Sequence, residues 1–294
     1  MSPTWLPEAA PEAVRPEPSE QLIERDLVMT QADFTHICEL IHRHAGIVLV
    51  ANKRNMVYSR LARRLRHHGM THFSQYLALL KQEGLTGEWG AFTNALTTNL
   101  TAFFREAHHF PLLARHVTGR SGPVRVWSAA ASTGEEPYSI AMILQEALGH
   151  RANEARVVAT DIDTDALAQA RAGVYPLEQV QKLDEVRIKR FFMRGKGDKA
   201  GLAKVRPELA AMVEFGPLNL LSPQWPVSGP FDAIFCRNVM IYFDKATQAR
   251  ILSRFAPLLK PDGLLFTGHS ENFSYTSQAF RLRGQTVYEL ASRA

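Results

Sequence analysis

From Pro123 onward the chain alternates between short apolar strand signals and helical stretches, and this alternation restricts the fold more than any other feature. Val124-Arg125-Val126-Trp127 reads as a strand, and Ser128 to Gly134 as a turn of small residues. Glu135-Glu136-Pro137 then opens a helix, because proline and acidic residues are both favoured in a first turn. Ile140, Ile143, Leu144 and Ala147 share one face of that helix. A second strand, Arg156–Thr160, ends in Asp161-Ile162-Asp163-Thr164 and enters an alanine-rich helix. Phe231–Cys236 (strand), Thr247–Leu259 (helix) and Leu264–Thr267 (strand) follow, and Phe280–Leu282 with Thr286–Leu290 around Gly284 gives a terminal hairpin. Strands separated by helices predict an α/β fold. Its sheet is mostly parallel and doubly wound, with helices on both faces, and the hairpin adds an antiparallel strand.

Two segments break this rhythm. Between Thr30 and Ala95 the period is helical: Phe34, Ile37, Cys38 and Ile41 fall on one face, as do Phe73, Tyr76, Leu77 and Leu80. The intervening stretch, Asn52–His68, carries Lys53, Arg54, Arg60, Arg63, Arg64 and Arg66. On a helical wheel Val57, Leu61 and Leu65 share one arc, with Lys53, Arg60, Arg63 and His67 on its neighbour. Those cations read either as a solvated face or as a docking face. From Val174 to Phe215 a Gly/Lys-rich turn, Arg194 to Gly201, sits between short strand-like pieces, so a small antiparallel insertion is expected outside the main sheet. The predicted organisation is a disordered acidic tail over 1–28, a helical domain over 29–95 and the α/β domain over 96–294, with the insertion at 174–215.

Composition narrows the function. The tail holds Pro3, Pro7, Pro11, Pro16 and Pro18 beside five glutamates and has little with which to build a core. The net charge of +5 therefore resides in the folded part, and an anionic partner is one reading of it. No apolar run is long enough to cross a bilayer, and the first residues lack the pattern of a signal peptide. Cys38 and Cys236 are far apart and lack metal-ligand spacing, which excludes a disulfide framework and suits the cytoplasm. His67-His68 and His108-His109 are adjacent pairs that cannot share a helix face, and no HExxH occurs, so no metal is expected.

In doubly wound sheets ligands bind beyond the carboxyl ends of the strands. Asp161, ending the second strand, stands where a carboxylate grips ribose hydroxyls; its alternative is a helix N-cap. The first turn has only Gly134 of the three glycines in a dinucleotide fingerprint. Acidic residues beside it would repel phosphate and suit a sulfonium or ammonium, although Glu135 and Glu136 also complement the helix dipole. S-adenosylmethionine, which has no phosphate, meets these conditions.

Four longer stretches carry a specific resemblance. They are Leu96-Thr97-Thr98-Asn99-Leu100-Thr101-Ala102-Phe103-Phe104-Arg105-Glu106, Ser128 through Ser139, Cys236-Arg237-Asn238-Val239-Met240-Ile241-Tyr242-Phe243-Asp244, and Gly268-His269-Ser270-Glu271. Together they resemble the chemotaxis protein methyltransferase (CheR) family, from the helical domain to the last strand, and Leu259-Lys260-Pro261-Asp262-Gly263 resembles a turn common in class I methyltransferases. The resemblance implies a class I S-adenosylmethionine-dependent methyltransferase, Rossmann-like, acting on glutamate side chains of methyl-accepting chemotaxis receptors and releasing S-adenosylhomocysteine.

It also implies cofactor contacts from Asn99, Thr101, Arg105, Glu136, Asp161, Asn219, Leu220, Arg237 and Asn238, with Arg105 and Tyr242 near the reacting groups. Asn219 reads equally as a turn residue, Arg105 as a helix-start charge paired with Glu106, and Tyr242 as a core aromatic. Receptor docking is expected at Lys53, Arg60, Arg63 and Arg66, and the Arg194–Leu202 region resembles family members that hold a receptor's C-terminal peptide. Neither nucleic acid nor membrane insertion is expected, and the chain is read as a monomer. A nucleic-acid methyltransferase remains an alternative on charge, but Arg237–Tyr242 lacks the Pro-Pro-aromatic motif of amine methylation. A cofactor-sensing module without turnover is the other alternative.

Overall fold

The computed structural model describes residues 27–82, 86–273 and 276–291. Four helices open it: α1 (Gln31–Ala45), α2 (Arg54–His67), α3 (Phe73–Leu80) and α4 (Thr86–Leu96). Thr30 and Asp33 form a reciprocal capping box at the start of α1, and Gly46, at φ 73°, ends it in the left-handed conformation that glycine adopts without cost. Ile37, Ile41, Val57, Leu61, Leu65, Phe73 and Tyr76 close a separate core between these helices. The arc predicted from Val57, Leu61 and Leu65 is thus the buried one, although Ala51–Lys53 forms a 3-10 turn and α2 starts only at Arg54. Glu88 on α4 is buried and accepts from Arg64 Nε at 3.0 Å and Tyr76 Oη at 2.6 Å. Burial alone would raise its carboxyl, but the bonds from Arg64, Tyr76 and His68 outweigh this and bring it down to about 2.

The acidic tail lies outside the described residues apart from Leu27 and Val28, and these two belong to the helical domain. Leu27 is buried, Val28 N–H donates to Thr71 O and Phe73 N–H donates to Val28 O.

The α/β domain runs α5 (His109–Thr118), β1 (Arg125–Ser128), α6 (Glu135–Leu148), β2 (Arg156–Asp161), α7 (Thr164–Ala172), β3 (Val174–Pro176), α8 (Leu177–Val180), α9 (Glu185–Phe191), β4 (Phe192–Arg194), β5 (Leu202–Val205), α10 (Pro207–Ala210), β6 (Val213–Pro217), β7 (Phe231–Cys236), α11 (Lys245–Phe255), β8 (Leu259–Thr267), β9 (Phe280–Gly284) and β10 (Val287–Leu290). The main sheet has the order β6-β2-β1-β7-β8-β10-β9. Its first five strands are parallel, and β10 pairs antiparallel with both β8 and β9. All six residues of β7 are buried, as a central parallel strand requires; Ala233 and Phe235 face one apolar layer, Ile234 and Cys236 the other.

β3, β5 and β4 form the expected antiparallel insertion, with β5 in the middle. It ends earlier than the predicted 215. Val213–Pro217 is β6, which pairs in parallel register with β2 and belongs to the main sheet. Glu214, Gly216 and Pro217 deprive that edge strand of an apolar run, which hides it in the sequence. Helix α5 is a further element absent from the predicted organisation, although Phe110, Leu113 and Val117 share its buried face at helical spacing.

Candidate active site

The strand order reverses between β1 and β7, since β2 and β6 follow on one side and β8 on the other. Beyond the carboxyl ends of these strands lies a cavity of about 420 Å3, a size typical of small-molecule sites. The loops after β1, β2, β6 and β7 form one side of it. Ile47, Val48, Lys53, Met56 and Arg60 of the helical domain form the other, and the link from Leu96 to Ala102 passes between.

Asn99, Thr101, Arg105, Glu136, Asp161, Asn219, Leu220, Arg237 and Asn238 all line this cavity, as does Tyr242. Their local roles differ. Asp161 Oδ2 accepts from Ser132 N–H at 2.8 Å and Oδ1 from Asp163 N–H at 2.9 Å, so the carboxylate fastens the small-residue turn to the end of β2. The N-cap of α7 is Asp163, whose Oδ1 accepts from Asp165 and Ala166. Burial pushes the Asp161 carboxyl up, and the Asp163 and Ser132 N–H groups offset part of that shift.

Glu136 accepts from Ser128 Oγ at 2.7 Å and stands 3.4 Å from Arg237 Nη1. Burial raises its carboxyl too, against the pull of Arg237 and Ser128. Glu135 is not at the cavity; it accepts from Thr133 Oγ1 at 2.7 Å, which favours the helix-start reading for that residue.

Arg237 is almost fully buried. Its guanidinium donates to Arg105 O and lies 3.6 Å from Glu106. Glu106 also accepts from Asn238 Nδ2 at 3.2 Å and His269 N–H at 3.1 Å. The alternative pairing of Arg105 with Glu106 is therefore not what forms: Arg105 Nη1 donates to Leu100 O at 2.8 Å instead. Asn219 does adopt the turn role, its Oδ1 accepting from Leu221 N–H, while its Nδ2 donates to His44 O and joins the two domains. Asn99 Nδ2 donates to Asp163 Oδ2 at 2.7 Å. Phe104, Glu106, Ser132 and Asn238 hold φ between 49° and 57°, a region costly for residues other than glycine, and all four belong to the loops of the quoted motifs.

The arginines of α2 divide. Arg63 and Arg66 are exposed, as a docking face needs, and Lys53 is exposed at the cavity. Arg60 departs from the expectation. Its Nη1 donates to Leu96 O at 3.2 Å and Thr97 O at 2.5 Å, bracing the cavity wall, because the 96–98 link passes against the middle of α2. Residues before α5 form a turn, so Glu106, His108 and His109 bring possible ligand atoms within 4.8 Å of one another despite the adjacency of the histidines. The sequence alone assigns no site role to Ser128, Ser132, Asp163, Glu106 or Glu271; all but Asp163 lie within the quoted motifs, which is the one signal they carry.

S-adenosylmethionine fits this cavity. Two carboxylates face it where phosphates would be repelled, and Asp161 stands where hydroxyl donors are accepted. A doubly wound sheet with this site and a closing antiparallel hairpin defines a class I S-adenosylmethionine-dependent methyltransferase.

Residues 99–289 match the CheR methyltransferase S-adenosylmethionine-binding domain, and residues 32–97 match the CheR methyltransferase all-alpha domain. The chain belongs to the CheR methyltransferase family. It is 61% identical over 271 residues to the chemotaxis protein methyltransferase of Escherichia coli (strain K12), covering 92% of this chain and 94% of that one. It is 53% identical over 277 residues to chemotaxis protein methyltransferase 2 of Pseudomonas aeruginosa, covering 93% and 98%. Identity to the chemotaxis protein methyltransferase of Borreliella burgdorferi is 34% over 254 residues, covering 83% and 89%. Among the described residues no helix is long and apolar enough to cross a membrane.

Proposed function

We propose that this methyltransferase esterifies glutamate side chains on methyl-accepting chemotaxis receptors, working in the cytoplasm as a monomer and releasing S-adenosylhomocysteine. The observation that carries the reading is the meeting of Arg105, Tyr242 and Lys53 on the wall of the cavity that takes the cofactor. An anionic acceptor is drawn to such an entrance. A glutamate of ordinary pKa, about 4.3, is already an ionised nucleophile at neutral pH, so the site needs no strong base. The bound cofactor supplies a methyl group activated by its sulfonium. The chain's own task is alignment: Arg105 and Tyr242 orient the carboxylate, Asp161 and Glu136 fix the donor, and the link at 96–102 excludes water. Orientation of this kind contributes on the order of 7–11 kcal/mol to a barrier. Incubation with labelled S-adenosylmethionine and chemoreceptor membranes should give a base-labile methyl ester; label that enters RNA instead, or resists base, would refute the assignment.

Receptor docking is assigned to the exposed cations of α2. Reversing Arg63 and Arg66 to Glu should raise KM for receptor several-fold, more at low salt, and leave cofactor affinity unchanged. Unaltered methylation by that variant would return these arginines to the solvated surface. Arg60 is left out of this test because it braces the cavity wall.

The insertion is proposed as a tether that takes a receptor C-terminal peptide as an added strand beside β3 or β4, the two edges of its sheet. Gly195 makes the connecting turn possible, since a Cβ there would lie 2.0 Å from Lys199 O. Tethering raises local receptor concentration to about the millimolar range for a short flexible linker. Deleting Gly195–Gly201 should abolish binding of a free receptor-tail peptide while S-adenosylhomocysteine still binds; an intact protein that ignores the peptide at high micromolar concentration ends the tethering idea.

A further inference from the structure

We propose that Glu271 is a positioning residue for methyl transfer: its carboxylate staples the loop after β7, which carries Arg237, Asn238 and Tyr242, to the end of β8. The inference rests on the reading that those three residues face the cofactor and acceptor. Glu271 is 3% exposed and is not among the residues lining the cavity, so it acts only through others. One carboxylate serves both loops. Oε2 accepts from Gly268 N–H at 2.6 Å and Asn238 N–H at 3.0 Å, and Oε1 accepts from Ile241 N–H at 3.2 Å. Glu271 N–H donates to Gly268 O at 2.9 Å, which closes the turn from which the side chain reaches across.

The fit between the loops leaves no slack. A Cβ on Gly268 would stand 2.4 Å from Asn238 Nδ2 and 2.7 Å from Asn238 N. Asn238 is held at φ 57°, and its strained conformation persists because its N–H is captured. Buried N–H groups without acceptors are costly, so the loop and the carboxylate stand or fall together. Burial pushes the Glu271 carboxyl up, and the N–H groups of Gly268, Asn238, Ile241 and Met240 offset part of that shift; its charge is thus held by backbone dipoles. A glutamine keeps the shape and one acceptor oxygen but turns an amide N–H2 toward backbone N–H groups.

A matched control separates positioning from stability. Glu88 is likewise a buried carboxylate with several donors, but it lies between α2, α3 and α4, away from the cavity. Glu271→Gln and Glu88→Gln are both expected to lower Tm. Only Glu271→Gln should weaken S-adenosylhomocysteine binding, by about tenfold or more, and lower kcat for receptor methylation with little change in KM for receptor. Wild-type cofactor affinity and kcat in a folded Glu271→Gln protein overturn the proposal, as does equal weakening in Glu88→Gln. If Glu271→Gln does not fold, Glu271→Asp keeps the charge but shortens the reach to Ile241, and the same losses are required of it. Asn238→Ala distinguishes the two levels of the argument. Unchanged cofactor binding in that variant defeats the site reading itself, whereas weakened binding beside an unaffected Glu271→Gln defeats only the staple.

Discussion

Replacing Asp161 with Ala is expected to weaken S-adenosylhomocysteine binding by about ten- to a hundredfold, the loss of charge-assisted hydrogen bonds worth roughly 1.5–3 kcal/mol each. The alanine variant also strips the acceptor from Ser132 N–H and Asp163 N–H, so its Tm should fall as well. Asp161→Asn retains one oxygen for those amides. It should keep more of the stability while still losing most of the affinity, and calorimetry on both variants tests the pair. The carboxyl is raised by burial, so it protonates at a higher pH than an exposed aspartate. Protonation removes an acceptor from the ligand's hydroxyls, and affinity in the wild type should therefore decline as pH falls through that raised value. Unchanged affinity in a folded Asp161→Asn protein would remove Asp161 from the cofactor site.

Gly134→Ala should be strongly damaging despite its size. Gly134 caps α6 at φ 100°, where a side chain is strained, and the added Cβ would lie 2.7 Å from Tyr175 Oη and 2.8 Å from Ala170 Cβ. Backbone strain costs about 1–3 kcal/mol and overpacking about 1–3 kcal/mol more. At roughly 2–4 °C per kcal/mol for a domain of this size, Tm should drop by several degrees or more. Tyr175 Oη donates to Thr133 O at 2.8 Å, so the displaced helix start carries the cofactor turn with it and binding should be lost. A thermal melt that matches the wild type would show that this turn is not tightly packed.

Much of this architecture could be read from residue order. The strand, small-residue turn and Glu135-Glu136-Pro137 helix start form β1, the cavity turn and α6, and Asp161 does end β2 at the cavity. Such features are local: a period, a cap and a turn each announce themselves within a few residues. What escaped notice is pairing at a distance. Glu271 reaches Asn238 across 33 positions, Asn99 reaches Asp163 across 64 and Arg60 reaches Thr97 across 37, and no spacing rule relates such positions. For the same reason the sequence could rank Arg60 with Arg63 as a docking cation, though only one of them is free to dock. The strand β6 was lost differently, because an edge position relaxes the demand for apolar residues that makes a strand visible.

The cavity draws its walls from both halves of the molecule. Asn219 donates to His44 O, and Val48 N–H donates to Tyr242 O. Chimaeras between relatives therefore cannot treat the helical half as a detachable receptor reader. Exchanging residues 27–97 would also exchange Val48, Lys53, Met56 and Arg60, and with them one side of the cofactor chamber. Changes in the surface of α2 and in the shape of the cavity would be inherited together, and drift in that helix is held in check by the cavity wall it supports.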